Sequence, residues 1–154
     1  MGAMRTVSRR RTIAAPIDAV FDWLINGNNW SDIPGMFYSR VRPVDGPEPF
    51  GVGSIREFAS SGSKVTEVVT AFERLHSMSY QALSTVPPAQ HSGGSVTLQE
   101  VPGGTEVLWT TSFRLKSPVL AGLFTRLYAP LIGLGIRMVL RTAERALTSD
   151  QANT

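Results

Sequence analysis

Residues 117–147, SPVLAGLFTRLYAPLIGLGIRMVLRTAERAL, decide the fold, because they form the one long helix this chain can make and what precedes them reads mainly as strands. Ser117 is a good N-cap and Pro118 suits the first helical position, where a missing N–H costs nothing. At 3.6 residues per turn Arg126, Arg137, Arg141 and Glu144 fall within a narrow arc, and nearly every other position is apolar or small. A surface helix shows one apolar stripe, whereas this one is apolar on almost every side and needs cover from more than one direction. About 30 residues make a rod of roughly 45 Å. Pro130 removes a backbone donor from it and predicts a kink or a break into two pieces.

Working outward from that helix, the preceding segments FYSRVRPV, GSIREFA, KVTEVVTAF, MSYQALS, SVTLQEV and EVLWTTSFRL are rich in β-branched and aromatic residues, and Gly, Pro or Ser clusters bound each one. Ser61-Gly62 and Gly103-Gly104 read as tight hairpin turns, and residues 45–52 as a Pro/Gly loop. Residues 86–94, with Pro87-Pro88, read as a longer loop that carries His91. Further upstream, AAPIDAVFDWLING is a short amphipathic helix with Ile17, Val20, Phe21 and Leu24 on its apolar face. NNWSDIPGM after it is a polar turn or one-turn helix carrying Trp30. Residues 4–14 read as a first strand whose alternate arginines face solvent along an edge. The order predicts an α+β domain over residues 4–148, with a seven-stranded antiparallel sheet covered by the long C-terminal helix, short helices after strand 1, and a tail at 149–154.

A chain of 154 residues needs neither disulfides nor metal for stability. It has no cysteine, which excludes thiol nucleophiles and Cys-ligated metals. The basic N-terminal residues are not followed by an apolar segment, so a secretory signal is unsupported and a cytoplasmic protein is expected. The net charge of +3 comes largely from arginine, in one cluster at Arg9, Arg10 and Arg11 and another on the terminal helix. A solvated face is the simplest reading of each cluster. Contact with anionic lipid is the alternative, and no nucleic-acid motif is present.

The sharpest local inference comes from the hairpin across Ser61-Gly62. With a two- or four-residue loop, Arg56 faces Glu67 and Phe58 faces Val65. Val69 and Ala71 share that face, while Glu57, Lys64, Thr66 and Thr70 occupy the other, so Arg56 and Glu67 are expected inside. A buried pair of this kind fixes the polar end of a ligand; the alternative is an exposed ladder pair of little energetic weight. His76 and His91 have no carboxylate at ligand spacing, so no metal is expected. There is no nucleophile elbow and no P-loop, and Gly51-Val52-Gly53 lacks a dinucleotide fingerprint, so no cofactor is expected. Trp30, Tyr38, Tyr80, Trp109 and Tyr128 are candidate cavity-lining aromatics, with ordinary core packing as the alternative. Gly122, Ala129 and Gly133 form a small-residue strip that leaves either volume above the sheet or room for close helix packing.

The succession TIAAPIDAVFDWLINGNNW, GVGSIREF, VVTAFERLHSMSY and GGTEVLWTTSF, followed by the apolar terminal helix, resembles the START-like helix-grip superfamily. It is most similar to the bacterial polyketide cyclase/dehydrase and lipid-transport group. The resemblance implies a curved sheet wrapped around the last helix, with a cavity for a hydrophobic ligand between them. It places His91 near the cavity mouth and turns the face of Trp109 inward. The ligand-contact candidates are therefore Trp30, Tyr38, Arg56, Phe58, Glu67, Tyr80, His91, Trp109, Tyr128 and Gly133. The first functional expectation is a binder or carrier of a lipid, isoprenoid or polyketide-like molecule. The second is a cofactor-independent cyclase or dehydratase using Arg56 with Glu67 or His91, and the third a regulator that engages a protein partner. Leu123, Leu127, Leu134 and Met138 beside the helix arginines suit either peripheral membrane contact or a homodimer.

Overall fold

Arg56 stands opposite Glu67 and Phe58 opposite Val65 in the hairpin of β3 (Ile55–Ser60) and β4 (Ser63–Glu73), the register expected from a two-residue connection. This is seen in a computed structural model that describes residues 4–60, 63–116 and 121–152. The turn at 61–62 and the helix cap expected at Ser117 and Pro118 lie outside the described residues.

The other elements are β1 (Arg5–Ile13), α1 (Ile17–Ile25), a 3₁₀ helix (Gly27–Asp32), β2 (Met36–Arg42), β5 (Ser77–Val86), β6 (Ala89–Val101), β7 (Gly104–Leu115) and α2 (Ala121–Ala152). The seven strands form one antiparallel sheet in the order β1-β7-β6-β5-β4-β3-β2. Each neighbour along the chain pairs with the next except β1, which crosses by way of α1 and the 3₁₀ helix to lie beside β7 at the far edge. α2 packs against β1 and β7, giving the α+β helix-grip arrangement.

The core lies where α1 and the C-terminal half of α2 meet the inner face of the sheet. Val20, Phe21 and Leu24 from α1 are buried with Val107 and Trp109 from β7 and with Ile136, Leu140 and Ala143 from α2. Thr125 ties the start of the helix to the end of β7, because its hydroxyl accepts the Leu115 N–H at 2.8 Å and donates to the Ala121 carbonyl at 2.7 Å.

Several expectations are corrected. β6 begins at Ala89, so the connection from β5 is only Pro87-Pro88, and His91, Gly93 and Gly94 lie in a strand rather than a loop. A bulge between His91 and Gly93, with Gly93 at φ 114°, carries the strand through what reads as loop composition. Of the two outcomes expected at Pro130, the break into two pieces does not occur: α2 passes through it as one helix and continues through 149–152, residues that read as part of a tail. The arginines of β1 do not all face solvent. Arg9 and Arg11 alternate with exposed neighbours and point toward α2, where Arg11 holds Glu144 through two hydrogen bonds of 2.9 and 3.0 Å. That contact holds the Glu144 carboxyl below its ordinary range.

Candidate ligand cavity

Between the inner face of the sheet and α2 lies a cavity of about 540 Å³, a size suited to a small organic ligand. The strands supply aromatic and aliphatic walls because residues at every second position point inward. On β7 these are Trp109, Thr111, Phe113 and Leu115, on β5 Tyr80 and Ala82, and on the β3–β4 hairpin Phe58, Val65 and Glu67. α2 closes the cavity with Tyr128, Ile132, Ile136 and Val139.

Of the candidate contact residues, Trp30, Phe58, Glu67, Tyr80, His91, Trp109 and Tyr128 lie on this wall. Arg56, Tyr38 and Gly133 do not. Arg56 stands behind the wall, with its guanidinium 5.0 Å from the Trp30 ring centre and 5.4 Å from that of Tyr80. Tyr38, on the edge strand β2, carries the Arg40 guanidinium at 4.7 Å instead. Gly133 is taken up by β1: a Cβ there would lie 2.1 Å from an Arg9 guanidinium nitrogen, so the small residue makes room for that arginine and not for a ligand. Thr111 and the helix residues Ile132, Ile136 and Val139 were not among the candidates. The alternation of Thr111 with Trp109 and Phe113 was the available signal for the first. The 3.6-residue spacing of the other three was masked by a helix apolar on nearly all sides.

One group of polar side chains lies at and behind the wall around Glu67 and Tyr80. Arg56 and Glu67 are ion-paired, with side chains 2 % and 3 % exposed. Burial pushes the Glu67 carboxyl up, and the Arg56 guanidinium opposes that rise. Among the described residues, Arg56 Nε and Nη1, Trp30 Nε1 and Thr85 Oγ1 are buried without hydrogen-bond partners. Tyr80 reaches across β6 to β7, where its hydroxyl accepts the Trp109 indole N–H at 2.8 Å. It can do so because its cross-strand neighbour is Gly94, at which a Cβ would lie 2.2 Å from the Tyr80 ring. Burial, with the nearby Glu67 charge second, pushes the phenol up to about 12, so it is a neutral hydrogen-bonding group.

His91 stacks on Tyr80 with ring centres 5.6 Å apart and planes inclined by 19°. The β5–β6 register runs from Ser77↔Thr97 to Tyr80↔Gly94, and beyond the bulge the His91 ring substitutes for a strand partner. Its Nδ1 accepts the Ala82 backbone N–H at 3.0 Å and its Nε2 lies 2.8 Å from the Thr111 hydroxyl. Burial lowers the basicity of this imidazole. Both ring nitrogens are engaged, so exchange of a proton with a ligand would first require breaking one of these bonds.

Fold and cavity together define a helix-grip protein that encloses a mostly apolar chamber. The chain belongs to the family described as polyketide cyclase / dehydrase and lipid transport, which it matches over residues 4–147. In structure it is similar to an aromatase/cyclase from Streptomyces sp. R1128, at 19% identity and TM-score 0.70 over 93% of this chain and 95% of that one. It is also similar to a START superfamily protein from Mycobacterium smegmatis, at 9% identity and TM-score 0.71 over 94% and 97% of the two chains. A two-domain aromatase/cyclase of the BE-7585A biosynthetic pathway matches at 18% identity and TM-score 0.72. There the match covers 94% of this chain but only 50% of the other, so this chain spans about half the length of that protein. No curated protein matches the chain in sequence.

Proposed function

We propose that this protein binds and carries a hydrophobic small molecule, of lipid, isoprenoid or polyketide type, in the cavity between the sheet and α2. The observation that carries this reading is a chamber of about 540 Å³ walled mainly by apolar and aromatic side chains, with a minority of polar groups among them. Native mass spectrometry of the purified protein tests it. A co-purifying apolar molecule supports the reading. A ligand-free protein that gains no thermal stability from a panel of lipids and aromatic polyketides sinks it.

The outer face of α2 favours acquisition of the ligand at a membrane surface by a cytoplasmic, peripherally associated protein. Leu127, Leu131 and Leu134 are 62%, 58% and 50% exposed, and Leu131 and Leu134 also border the cavity. Arg126, Arg137 and Arg141 are exposed beside them, and no acidic residue occurs between positions 121 and 143. α2 has the length and composition of a membrane span over Ala121–Thr148, with mean hydropathy 1.4, but its packing on β1 and β7 keeps it part of the grip. The competing occupant of this face is a second copy of the chain.

A cyclase or dehydratase reading has one observation in its favour, the Glu67 carboxyl on the cavity wall with its proton affinity raised by burial. In that reaction Glu67 moves the proton. Arg56 would have to turn out from behind the wall to touch a carbonyl, and His91 would have to give up Ala82 or Thr111.

A further inference from the structure

We infer that Tyr80 presents a hydrogen-bond donor to the cavity, completed by a carbonyl oxygen of the ligand, so that the site selects ketone-, quinone- or ester-bearing molecules over hydrocarbons of the same shape. The inference rests on the cavity-binding reading above and adds the chemistry of the ligand's inner end.

The argument is a count of protons. The Ala82 N–H donates to His91 Nδ1, so the neutral imidazole carries its hydrogen on Nε2, which donates to Thr111 Oγ1. The Trp109 indole has only a donor, which it gives to Tyr80 Oη. The Tyr80 oxygen is therefore the acceptor in that bond, and its own proton takes no part in it. No hydrogen bond donated by the phenol is found among the described residues. That leaves the phenol proton facing the chamber that Tyr80 lines. Glu67 acts on Tyr80 through its charge, with no hydrogen bond between them among the described residues.

A second observation points the same way. Trp30 lines the cavity, and its indole N–H is buried without a partner among the described residues. The unpaired atoms of Arg56 behind it are donors as well. A buried donor left without an acceptor is costly, and the group that relieves it is an acceptor oxygen. Because the Arg56–Glu67 pair already balances its own charge, the acceptor called for is neutral: a carbonyl rather than a carboxylate.

Three rigid tricyclic probes of nearly the same shape test this: 9-fluorenone with an acceptor, fluorene with neither donor nor acceptor, and carbazole with a donor. Affinities are measured by isothermal titration calorimetry, and the carbonyl stretch of bound fluorenone by infrared difference spectroscopy. Fluorenone should bind about five- to tenfold tighter than fluorene, carbazole no tighter than fluorene, and the bound carbonyl stretch should move to lower frequency than in hexane. In Tyr80→Phe, which keeps the ring over Gly94, the ratio of fluorenone to fluorene affinity should fall to about one and the frequency shift should disappear. Measurable fluorene binding by this variant reports that the cavity is still formed. Equal binding of fluorenone and fluorene by the wild-type protein overturns the inference and leaves the cavity reading standing. So does a Tyr80→Phe protein that keeps the ketone preference. Failure of all three probes to bind counts against the cavity reading itself and takes this inference with it.

Discussion

Arg56 and Glu67 face each other across the β3–β4 ladder and pair beside the cavity, Glu67 on its wall and Arg56 behind it, two opposite charges almost wholly removed from water. Such a pair gains strong mutual attraction but loses the hydration of both ions, so its net contribution to stability is small while the cost of breaking it is large. Arg56→Met alone leaves a buried carboxylate, and Glu67→Leu alone leaves a buried guanidinium. Each should lower stability by about 3–5 kcal/mol, and the double variant should recover most of that loss. Urea denaturation of the two single variants and the double measures it. Additive losses in the double variant would show that the two residues act independently.

Tyr80 reaches β7 only because position 94 has no side chain. Gly94→Ala would set a methyl carbon 2.2 Å from the Tyr80 ring and 2.4 Å from its oxygen, far inside contact distance. The ring must leave, and with it the Trp109 bond and the stack on His91. A loss of about 1–3 kcal/mol is expected, with a change in the near-ultraviolet circular dichroism of Trp109. Combining Gly94→Ala with Tyr80→Ala should restore part of the loss. If Gly94→Ala alone is neutral, the ring does not lie across β6 as described.

Gly94 also shows why some of this molecule was legible in the sequence and some was not. The Arg56–Glu67 pairing followed from the position of one turn, because an antiparallel hairpin has a single register once its loop length is set. The seven strands and the covering helix followed from periodicity and the chain order of elements. Residues 86–94 read as loop because two prolines and two glycines normally punctuate structure, whereas here only the prolines form the connection and tertiary packing needs the glycines inside a strand: Gly93 for a bulge and Gly94 as the seat of an aromatic ring. Gly133 was legible as a small residue needed for a close approach, but what approaches, Arg9 from a strand 124 positions earlier, depends on the crossover that places β1 beside β7. Tyr38 carries the same aromatic signal as Tyr80, and only its place on the edge strand distinguishes them.

His91 must be neutral to accept the Ala82 N–H, since a protonated imidazole would set donor against donor. Burial places its folded pKa below the unfolded value of about 6.5. As pH falls below about 6.5 the unfolded chain takes up this proton first, so stability declines until the folded pKa is passed and is unaffected by this group above that range. The slope from one proton cannot exceed about 1.4 kcal/mol per pH unit. Thermal unfolding at pH 7.5 and 5.5 should show the wild-type protein losing more stability than His91→Asn. An equal decline in both proteins would remove His91 as its source.

The exposed leucines of α2 and the arginines beside them make a prediction about where the ligand is exchanged. Leu131 and Leu134 border the cavity and face solvent, so a bilayer contacting this face would meet the chamber at the same place. Inserting a leucine into the acyl boundary contributes about 1.5–3 kcal/mol at full burial, and each arginine near an anionic surface about 1 kcal/mol. The protein should therefore co-sediment with phosphatidylglycerol vesicles at low salt, bind them less at 0.5 M salt as the arginines are screened, and ignore neutral phosphatidylcholine vesicles under both conditions. Leu131→Glu with Leu134→Glu should abolish vesicle binding without altering the fold, because both side chains are already half or more exposed. If those substitutions instead convert a dimer to a monomer in sedimentation velocity, the face is covered by a second copy of the chain. Absence of binding to anionic vesicles at low salt would remove the membrane from the reading and leave the cavity to be filled from solution.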